Sequence, residues 1–355
     1  MSETNQEART PKSRDYYFDN VKFVLIMLVV LGHTYRPLID ESGIVKAVYL
    51  AIYTFHMPLF ILVSGYFAKN FNKEGQNKKL IRSVLIPYFI FQVLYSLYDH
   101  FVYQTDEIEI AILEPYWIMW FLFSLFLWRL MLPYFVNLKY PLIIAFLLSI
   151  GVGYIDDADS FLSLSRTVAF FPFFLLGFYL RRKHFEVLFS RWKQIAGVAG
   201  GLSLVSLMYF LEFHSSIDLD YRRWLYFVFP YEDLGHPEWY AGTIRLAFIL
   251  LALAASALFL AVIPRGKTFF SHLGSRSLYV YLLHGFFIKF YDSIDLDDKY
   301  AGPTMYIVAT LAAIALTFIL SSGWIQNIAS PLLQPKMDWL FQKQEKRNQL
   351  NKAAY

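Results

Sequence analysis

The stretch that decides the fold is "FDNVKFVLIMLVVLGHTY", residues 18–35, which is almost entirely apolar from Val21 to Leu31. Two ionisable side chains, Lys22 and His33, lie eleven residues apart within it. At about 1.5 Å of helical rise per residue they are roughly 16 Å apart, which puts His33 near the middle of a bilayer core about 30 Å thick. An ionisable group at that depth is costly unless it is paired or lines a wet cavity, so His33 is a candidate functional residue.

The composition of the whole chain is typical of a membrane protein. Of its 355 residues, 57% are hydrophobic and only 17% are charged, which is too little charge to cover a soluble domain of this length. The chain has no cysteine, and this excludes disulfides and thiol catalysis. Apolar residues recur in blocks near membrane-helix length, and these blocks predict about ten transmembrane helices. The predicted spans are 19–39, 47–68, 83–99, 116–136, 141–155, 161–180, 194–213, 241–263, 277–292 and 303–330.

Charges in the connecting segments predict the orientation of these spans. The side that holds both termini carries 23 of the 32 Lys and Arg residues, Lys22 included, and the other side carries most of the 28 Asp and Glu. Because basic segments favour the cytoplasm, both termini are predicted to be cytoplasmic. The prediction is an all-α polytopic integral membrane protein of the plasma membrane, the inner or cytoplasmic membrane of a bacterium. Tails over 1–18 and 335–355 are expected to flank a transmembrane domain over 19–334, with the first span retained as an anchor.

Two further histidines are predicted at a similar depth. His56 lies in the second span just before Pro58, and Gly65 in the same span allows close contact with another helix. His284 lies in the ninth span, three residues after Tyr281, whose hydroxyl could donate a hydrogen bond to the imidazole. Each histidine has a structural alternative, a hydrogen bond that holds two helices together. An imidazole can also take a proton from a hydroxyl or pass protons across a membrane, and the sequence leaves these roles open.

Charged groups also cluster on the predicted cytoplasmic side. The segment 69–82 has five basic residues and one acidic residue, and its Lys79 and Arg82 lie three apart on one helix face. Such a pair suits the phosphate oxygens of a cytosolic cofactor. Asp19 and Lys22 are also three apart, so either they pair with each other or Lys22 reaches toward an anionic ligand. The chain has no P-loop, no dinucleotide-binding fingerprint and no Cys/His metal spacing, so neither nucleotide hydrolysis nor a metal is expected.

Five segments, in this order, resemble the membrane acyltransferase-3 family and its subgroup related to fucose 4-O-acetylases. In the first helix that family has Asp-x-x-Arg and then a His eleven residues after the Arg. Asp19, Lys22 and His33 stand at those places in "DNVKFVLIMLVVLGH". The resemblance runs from residue 14 to about 325. The other four segments are "FHMPLFILVSGYF" (55–67), "KKLIRSVLIPY" (78–88), "YWIMWFLFSLFLWRLMLP" (116–133) and "SRSLYVYLLHGFF" (275–287).

The resemblance implies about ten helices and acyl transfer from cytosolic acyl-CoA to a hydroxyl of a sugar or cell-envelope glycan. It makes His33 the catalytic histidine, with His56 and His284 as further catalytic candidates. It also places Lys79 and Arg82 at the phosphates of coenzyme A, with Lys22 nearby, and acetyl-CoA as the donor.

The chain departs from the family pattern at two places. Lysine instead of arginine at position 22 loses the bidentate geometry of a guanidinium. Many family members have a Glu pair shortly after the Trp of the fourth-span motif, and Leu125 and Phe126 stand there in this chain. An acidic partner for His33 must then come from elsewhere, such as Glu114, or be absent.

The combined prediction is a membrane O-acyltransferase, an O-acetyltransferase in the simplest case, that transfers groups other than amino-acyl groups. His33 would act as a general base or as an acyl relay. One rival is a proton-coupled transporter or flippase of an envelope precursor, which mid-membrane histidines also fit, and another is an envelope scaffold. The expected partners are acyl-CoA, a carbohydrate or glycan acceptor and membrane lipid, without nucleic acid, and a homo-oligomer stays open.

Overall fold

The computed structural model describes residues 14–104, 107–108, 110–156, 161–294 and 302–335. All regular structure in these ranges is helical, without strands, as the sequence predicts. Of the two predicted tails, only residues 14–18 and 335 lie within the described residues. The helices, numbered in chain order, are α1 (Tyr16–Tyr35), α2 (Gly43–Tyr66), α3 (Gln76–Leu80), α4 (Ile86–Tyr103), α5 (Trp120–Phe135), α6 (Pro141–Gly151), α7 (Leu164–Tyr179), α8 (Arg182–Glu186), α9 (Arg191–Phe213), α10 (Tyr221–Tyr226), α11 (Ala241–Val262), α12 (Ser277–Ser293), α13 (Pro303–Leu320) and α14 (Gly323–Leu333).

Several of these helices are long enough and apolar enough to cross a bilayer. Among the described residues seven helical segments meet both conditions by length and composition. Two shorter apolar helices, Pro141–Tyr154 and Leu164–Tyr179, fall on the fifth and sixth predicted spans. The 17-residue α12 falls on the ninth. The chain is therefore a multi-pass membrane protein, and both the count of ten spans and the sides of the termini stay predictions.

The first helix is longer than the sequence predicts. It begins at Tyr16 because the Asp15 side chain accepts a hydrogen bond from the Tyr17 amide, at 3.2 Å, and so caps the helix three residues before the predicted start. A 3₁₀ turn, Arg36–Asp40, extends it to a 25-residue segment. His33 lies five residues beyond the middle of that segment, about 7 Å along the axis. The depth of His33 in the bilayer stays a prediction.

The last predicted span, 303–330, is also corrected. The chain leaves the helix at Ser321, and Ser322 then caps α14 by accepting a hydrogen bond from the Ile325 amide at 3.3 Å. The predicted single span is therefore two helices, α13 and α14, because a serine cap interrupts the apolar run.

Polar contacts show which chain segments meet at the end of the bundle where α1 begins, here called the amino-terminal end. A guanidinium nitrogen of Arg182, at the start of α8, lies 2.6 Å from the Asp15 carboxylate. The Asn20 side chain donates to the carbonyl of Pro264, just after α11, at 2.8 Å. The start of α1 thus meets the segments that follow α7 and α11.

The opposite end collects the end of α1 and the start of α2. The Tyr35 hydroxyl lies 2.6 Å from the Thr310 hydroxyl of α13. The Tyr49 and Tyr226 hydroxyls, from α2 and α10, lie 2.5 Å apart. The short helix α10 therefore closes over this end of the bundle.

Two glycines bring α2 and α7 into close contact. A Cβ placed on Gly65 would lie 1.9 Å from the Phe174 carbonyl oxygen, and one on Gly177 would lie 1.9 Å from the Leu62 carbonyl oxygen. The two backbones therefore touch at both glycines, which confirms the predicted close contact through Gly65.

Candidate functional site

The three histidines that the sequence singles out come together in the structure. The ring centroids of His33, on α1, and His284, on α12, are 5.4 Å apart. Tyr53, on α2, links the other pair, with its ring centroid 6.4 Å from that of His33 and 4.6 Å from that of His56. Histidines from three helices thus form one cluster.

His33 and His56 line a cavity of about 220 Å³, here called the histidine cavity. Two guanidinium groups, of Arg36 and Arg166, line it as well, and no carboxylate does so among the described residues. Its walls also include eight aromatic rings, those of Tyr49, Tyr53, Trp117, Trp120, Phe121, Phe170, Tyr226 and Tyr281. The cavity combines imidazole bases, positive charge and flat aromatic surface.

Backbone hydrogen bonds decide which nitrogen of two imidazoles carries a proton. The Nδ1 of His56 lies 2.8 Å from the Ile52 carbonyl oxygen. The Nδ1 of His284 lies 2.9 Å from the Val280 carbonyl oxygen and 2.8 Å from that of Tyr281. Because a carbonyl oxygen only accepts, each Nδ1 is the donor and each Nε2 has a free lone pair.

His284 and His33 each have ring nitrogen available for a further hydrogen bond. The Nε2 of His284 is buried and has no hydrogen-bond partner among the described residues. The predicted bond from Tyr281 to this imidazole is wrong, because the Tyr281 hydroxyl donates to the Ile118 carbonyl instead. His33 is partly exposed and none of its described contacts is a hydrogen bond, so neither of its ring nitrogens is committed to the backbone.

A second cavity, of about 300 Å³ and here called the lysine cavity, adjoins His33 on another side. His33, Arg36 and Trp117 line both cavities, so His33 stands between them. Lys289 lines the lysine cavity and lies 3.0 Å from a carboxylate oxygen of Asp99. The backbone φ of Trp117 is 38°, a left-handed conformation that is unfavourable for a bulky residue and that clusters at functional sites.

Four residues of this region, Arg36, Asp99, Arg166 and Lys289, escaped the sequence analysis, although a usable signal existed for each. All four lie within predicted spans, Asp99 as the last residue of its span, and an ionisable side chain inside a span is the same signal that singled out His33. Only the structure brings Arg36 to the histidine cavity.

Asp19 and Lys22 lie at the amino-terminal end, away from the histidine cluster. The Lys22 amine is 2.8 Å from the Asp19 carboxylate, which is also 2.6 Å from the Arg14 guanidinium. Of the two alternatives for Lys22, the structure thus shows the ion pair with Asp19. Eleven residues of helix, roughly 16 Å, separate Lys22 from His33.

Lys79 and Arg82 also lie near the amino-terminal end. Lys79 is exposed, and the half-buried Arg82 donates through Nε to the Pro335 carbonyl at 3.1 Å. Tyr95, thirteen residues further along the same helical segment as Arg82, contacts the Trp117 ring at a centroid distance of 6.4 Å. Arg82 is therefore about 20 Å along the helix axis from the level of the histidine cluster.

The basic segment 69–82 borders a third cavity, of about 310 Å³ and here called the loop cavity. Lys73, Lys78 and Arg129 line it. Lys69 lies beside it in sequence and donates to the Leu180 carbonyl. Partial burial, followed by the nearby Arg181 guanidinium, lowers the pKa of the Lys69 amine.

The structure does not bring Glu114 to His33. Glu114 is exposed and lines none of these cavities, and its carbonyl accepts a hydrogen bond from the Gln92 amide at 3.0 Å. Gln92 also accepts from the Tyr116 amide at 2.9 Å, which fixes the turn before α5. Among the described residues, the carboxylate that shares a cavity with His33 is that of Asp292, in the lysine cavity. No group of three or more metal-type ligands occurs in the same ranges of the chain.

Comparisons with known proteins agree with the sequence resemblance. A family model described as an acyltransferase domain matches residues 15–322. The nodulation protein NolL of Mesorhizobium japonicum is 25% identical over 350 residues, which are 90% of this chain and 88% of the relative. The nodulation protein NolL of Sinorhizobium fredii is 26% identical over 332 residues, 86% of each chain. No solved structure gives a significant match.

Proposed function

The chain belongs to the acyltransferase domain family, and from that premise we propose that it moves an acyl group from cytosolic acyl-CoA to a hydroxyl of a sugar or cell-envelope glycan. Membership makes it an acyltransferase of groups other than amino-acyl groups. Acetyl is the proposed acyl group and the plasma membrane the proposed location, with the amino-terminal end toward the cytoplasm, where the charge pattern predicts it.

The observation that carries this proposal is the cluster of His33, His284 and His56, in which His33 and His56 line a cavity. His33 is the histidine of the three without a backbone hydrogen bond, and it borders two cavities. We assign it the role of general base. One ring nitrogen of His33 would donate to the free Nε2 of His284, which leaves the other nitrogen unprotonated and directed at the acceptor.

This assignment gives His33 a partner although Leu125 and Phe126 stand in this chain at the places of the family's Glu pair. His284 would supply the hydrogen-bond acceptor that orients the base, a role that a carboxylate fills in other histidine-based sites. A neutral imidazole orients its partner but lends less electrostatic support to the protonated base than a carboxylate does. His56, whose Nε2 lone pair is also free, would accept a hydrogen bond from another acceptor hydroxyl.

The proposed step is a direct transfer. The acceptor hydroxyl gives its proton to His33 while its oxygen attacks the thioester carbonyl, so a C–O bond forms. The C–S bond then breaks, coenzyme A leaves as a thiolate, and the thiolate takes the proton back from His33. General base catalysis of this kind contributes about 10²–10⁴-fold to the rate.

The donor would bind at the amino-terminal end. Lys79 and Arg82 would hold its phosphates with Lys22 nearby, and the pantetheine arm would bridge the roughly 20 Å to the histidine cluster. Arg82 lies in a π-helical turn, Ile81–Leu85, which precedes Pro87. Such turns are frequent at functional sites.

Donor binding provides the test. The purified protein in detergent is titrated with acetyl-CoA, and thiol release is followed with a thiol reagent, which detects coenzyme A alone because the chain has no cysteine. We expect binding and slow release by the wild type. Lys79→Ala/Arg82→Ala should weaken binding about 100-fold or more, since hydrogen bonds to charged groups are worth about 1.5–3 kcal/mol each.

The matched control is Lys139→Ala/Lys193→Ala, which removes two exposed positive charges from other segments near the amino-terminal end. This variant should bind acetyl-CoA like the wild type. A folded wild type that ignores acetyl-CoA would contradict the proposal and favour the proton-coupled transporter or flippase.

A further inference from the structure

Arg166 lies in an apolar helix, and its guanidinium forms no hydrogen bond or ion pair with the described residues. It lies in the first turn of α7, half-buried, with its guanidinium 5.1 Å from the Trp120 ring centroid. That ring is its described contact, and neither a carboxylate nor a hydrogen-bond acceptor of the described residues pairs with it. Its guanidinium carries five N–H donors, which are costly to leave unmet where water is scarce.

Arg245, in α11, shows what a structural arginine looks like in the same bundle. It is buried and donates to the Phe229 carbonyl at 3.0 Å and the Ser149 carbonyl at 3.4 Å, and its guanidinium lies 4.5 Å from the Tyr231 ring centroid. Arg245 thus has backbone partners and Arg166 has a cavity, which indicates that the partner of Arg166 is a ligand.

Arg36 adds a second positive charge to the same cavity. It lies three residues after His33, one turn nearer to the end of the bundle where α10 lies, and it lines the histidine cavity with Arg166. Two guanidinium groups without a carboxylate in the described lining make the cavity attractive to anions. Guanidinium groups bind carboxylates and phosphates in a bidentate manner.

The size and walls of the histidine cavity restrict the rest of the ligand. An apolar cavity of about 150 Å³ holds benzene, so 220 Å³ can hold a single six-membered ring. Trp117 and Tyr53 present aromatic surface to it, and Tyr226 closes it beside a hydroxyl pair with Tyr49. Rings with a polar edge suit a ligand that is apolar on its faces and polar around its rim, as a sugar is.

We propose that the acceptor is an anionic saccharide, one that carries a carboxylate or a phosphate, held by Arg166 and Arg36 with a ring hydroxyl at His33. The acceptor part of this inference rests on the proposed function, whereas the anion site itself does not. Arg36 and His33 are one helical turn apart, a rise of about 5 Å. This rise is comparable to the distance between an anionic substituent and a hydroxyl of the same sugar ring.

The test compares acceptors that differ in charge. Methyl β-glucuronide and methyl β-glucoside differ at C6 alone, where the glucuronide has a carboxylate and the glucoside a hydroxymethyl group, and glucose 6-phosphate supplies the phosphate arm. Acceptor-dependent thiol release from acetyl-CoA gives kcat and KM for the full-length protein in detergent. We expect KM for at least one anionic acceptor to be about tenfold or more below that for the glucoside, since hydrogen bonds to charged groups strengthen binding by this order.

Variants then locate the anion site. Arg166→Gln should raise KM for the anionic acceptor about 10- to 100-fold and leave KM for the glucoside nearly unchanged. The control is Arg223→Gln, which removes the same charge from α10, where Arg223 lies 4.2 Å from the Phe229 ring centroid and outside the cavity. This control should behave like the wild type.

A binding measurement without donor keeps the test independent of turnover. Trp117 and Trp120 line the cavity, so glucuronate or glucose 6-phosphate should change tryptophan fluorescence in the wild type and not in Arg166→Gln. Charge-selective binding without acetyl-CoA turnover would support the anion site and contradict the proposed transferase function.

Three results would overturn the inference. In the first, the glucoside binds as tightly as the two anionic sugars. In the second, Arg166→Gln lowers kcat equally for neutral and anionic acceptors. That result would mean that Arg166 stabilises the negative charge that develops on the reacting carbonyl oxygen. In the third, a preparation that turns over acetyl-CoA binds none of the three sugars.

Discussion

Replacement of Gly65 by alanine should damage a site that lies more than two helical turns away. The new Cβ would lie 1.9 Å from the Phe174 carbonyl oxygen and 2.8 Å from the carbonyl carbon, against an ordinary contact of at least 3.4 Å. Because the obstacle is backbone, α2 and α7 must separate by about 1.5 Å. Overpacking of this kind costs about 1–3 kcal/mol of stability.

The same displacement reaches the histidine cavity. His56 lies nine residues from Gly65 on α2, about 13 Å along the axis, and Arg166 lies eight residues from Phe174 on α7. Both side chains line the cavity, so separation of the helices moves its two walls apart. A misplacement of about 1 Å can cost 10²-fold in rate, and we expect Gly65→Ala to lower kcat by this order.

The assay is acetyl transfer together with the thermal unfolding midpoint in detergent. Gly201→Ala is the matched control, because a Cβ at this exposed position of α9 would meet no atom within 4 Å. It should keep the activity and stability of the wild type, or gain slightly from the better helix propensity of alanine. Wild-type stability and turnover in Gly65→Ala would refute the reasoning, and so would equal effects of the two substitutions.

Two further predictions concern the neighbours of His33. His284→Ala should lower kcat about tenfold without changing KM for acetyl-CoA, because His33 would lose the proposed acceptor of one of its hydrogen bonds. His284→Gln, whose amide oxygen can accept, should recover part of the loss. Steady-state kinetics would contradict this if KM rose while kcat stayed constant. Tyr281→Phe should cost about 1 kcal/mol of stability, because the Tyr281 hydroxyl donates a hydrogen bond to the Ile118 carbonyl, and it should leave kcat unchanged. A large fall in kcat with an unchanged unfolding midpoint would show instead that this hydroxyl acts in the reaction.

The helical class of the fold was predictable because long apolar blocks leave a membrane-spanning chain few options. The close contact at Gly65 was predictable too, since a glycine in such a helix permits backbone approach. The ends of the helices were harder to predict from the sequence. Asp15 lies in the predicted tail and Ser322 inside the last predicted span, and the helix cap that each side chain forms moves or splits a predicted span.

The choice of the three histidines followed from one physical argument, the cost of an ionisable group inside a bilayer. Applied evenly, that argument also marks four further charged residues of the site, Arg36, Asp99, Arg166 and Lys289. The sequence could not show in which direction each of these side chains points. Helical spacing places Tyr281 on the same face as His284, but the hydroxyl reaches the 3₁₀ turn before α5 and the imidazole bonds to carbonyls of its own helix.

The pairing at the amino-terminal end shows the same limit. Spacing allowed Asp19 and Lys22 to pair, and left open a ligand for Lys22. The ion pair with Arg14 and the contact of Lys22 with the Phe67 ring, 5.4 Å from its centroid, depend on neighbours distant in sequence or just outside the span. Such contacts cannot be predicted from the period of a single helix.

The turnover of His33→Ala, measured together with its affinity for acetyl-CoA, tests the central claim most directly. If His33 is the general base, this variant loses about 10²–10⁴-fold in kcat and binds acetyl-CoA like the wild type, since the proposed site for the donor phosphates is at the other end of the bundle. His272→Ala, at an exposed histidine outside the cluster, keeps full activity. Full acetyl transfer by a folded His33→Ala protein would contradict the account.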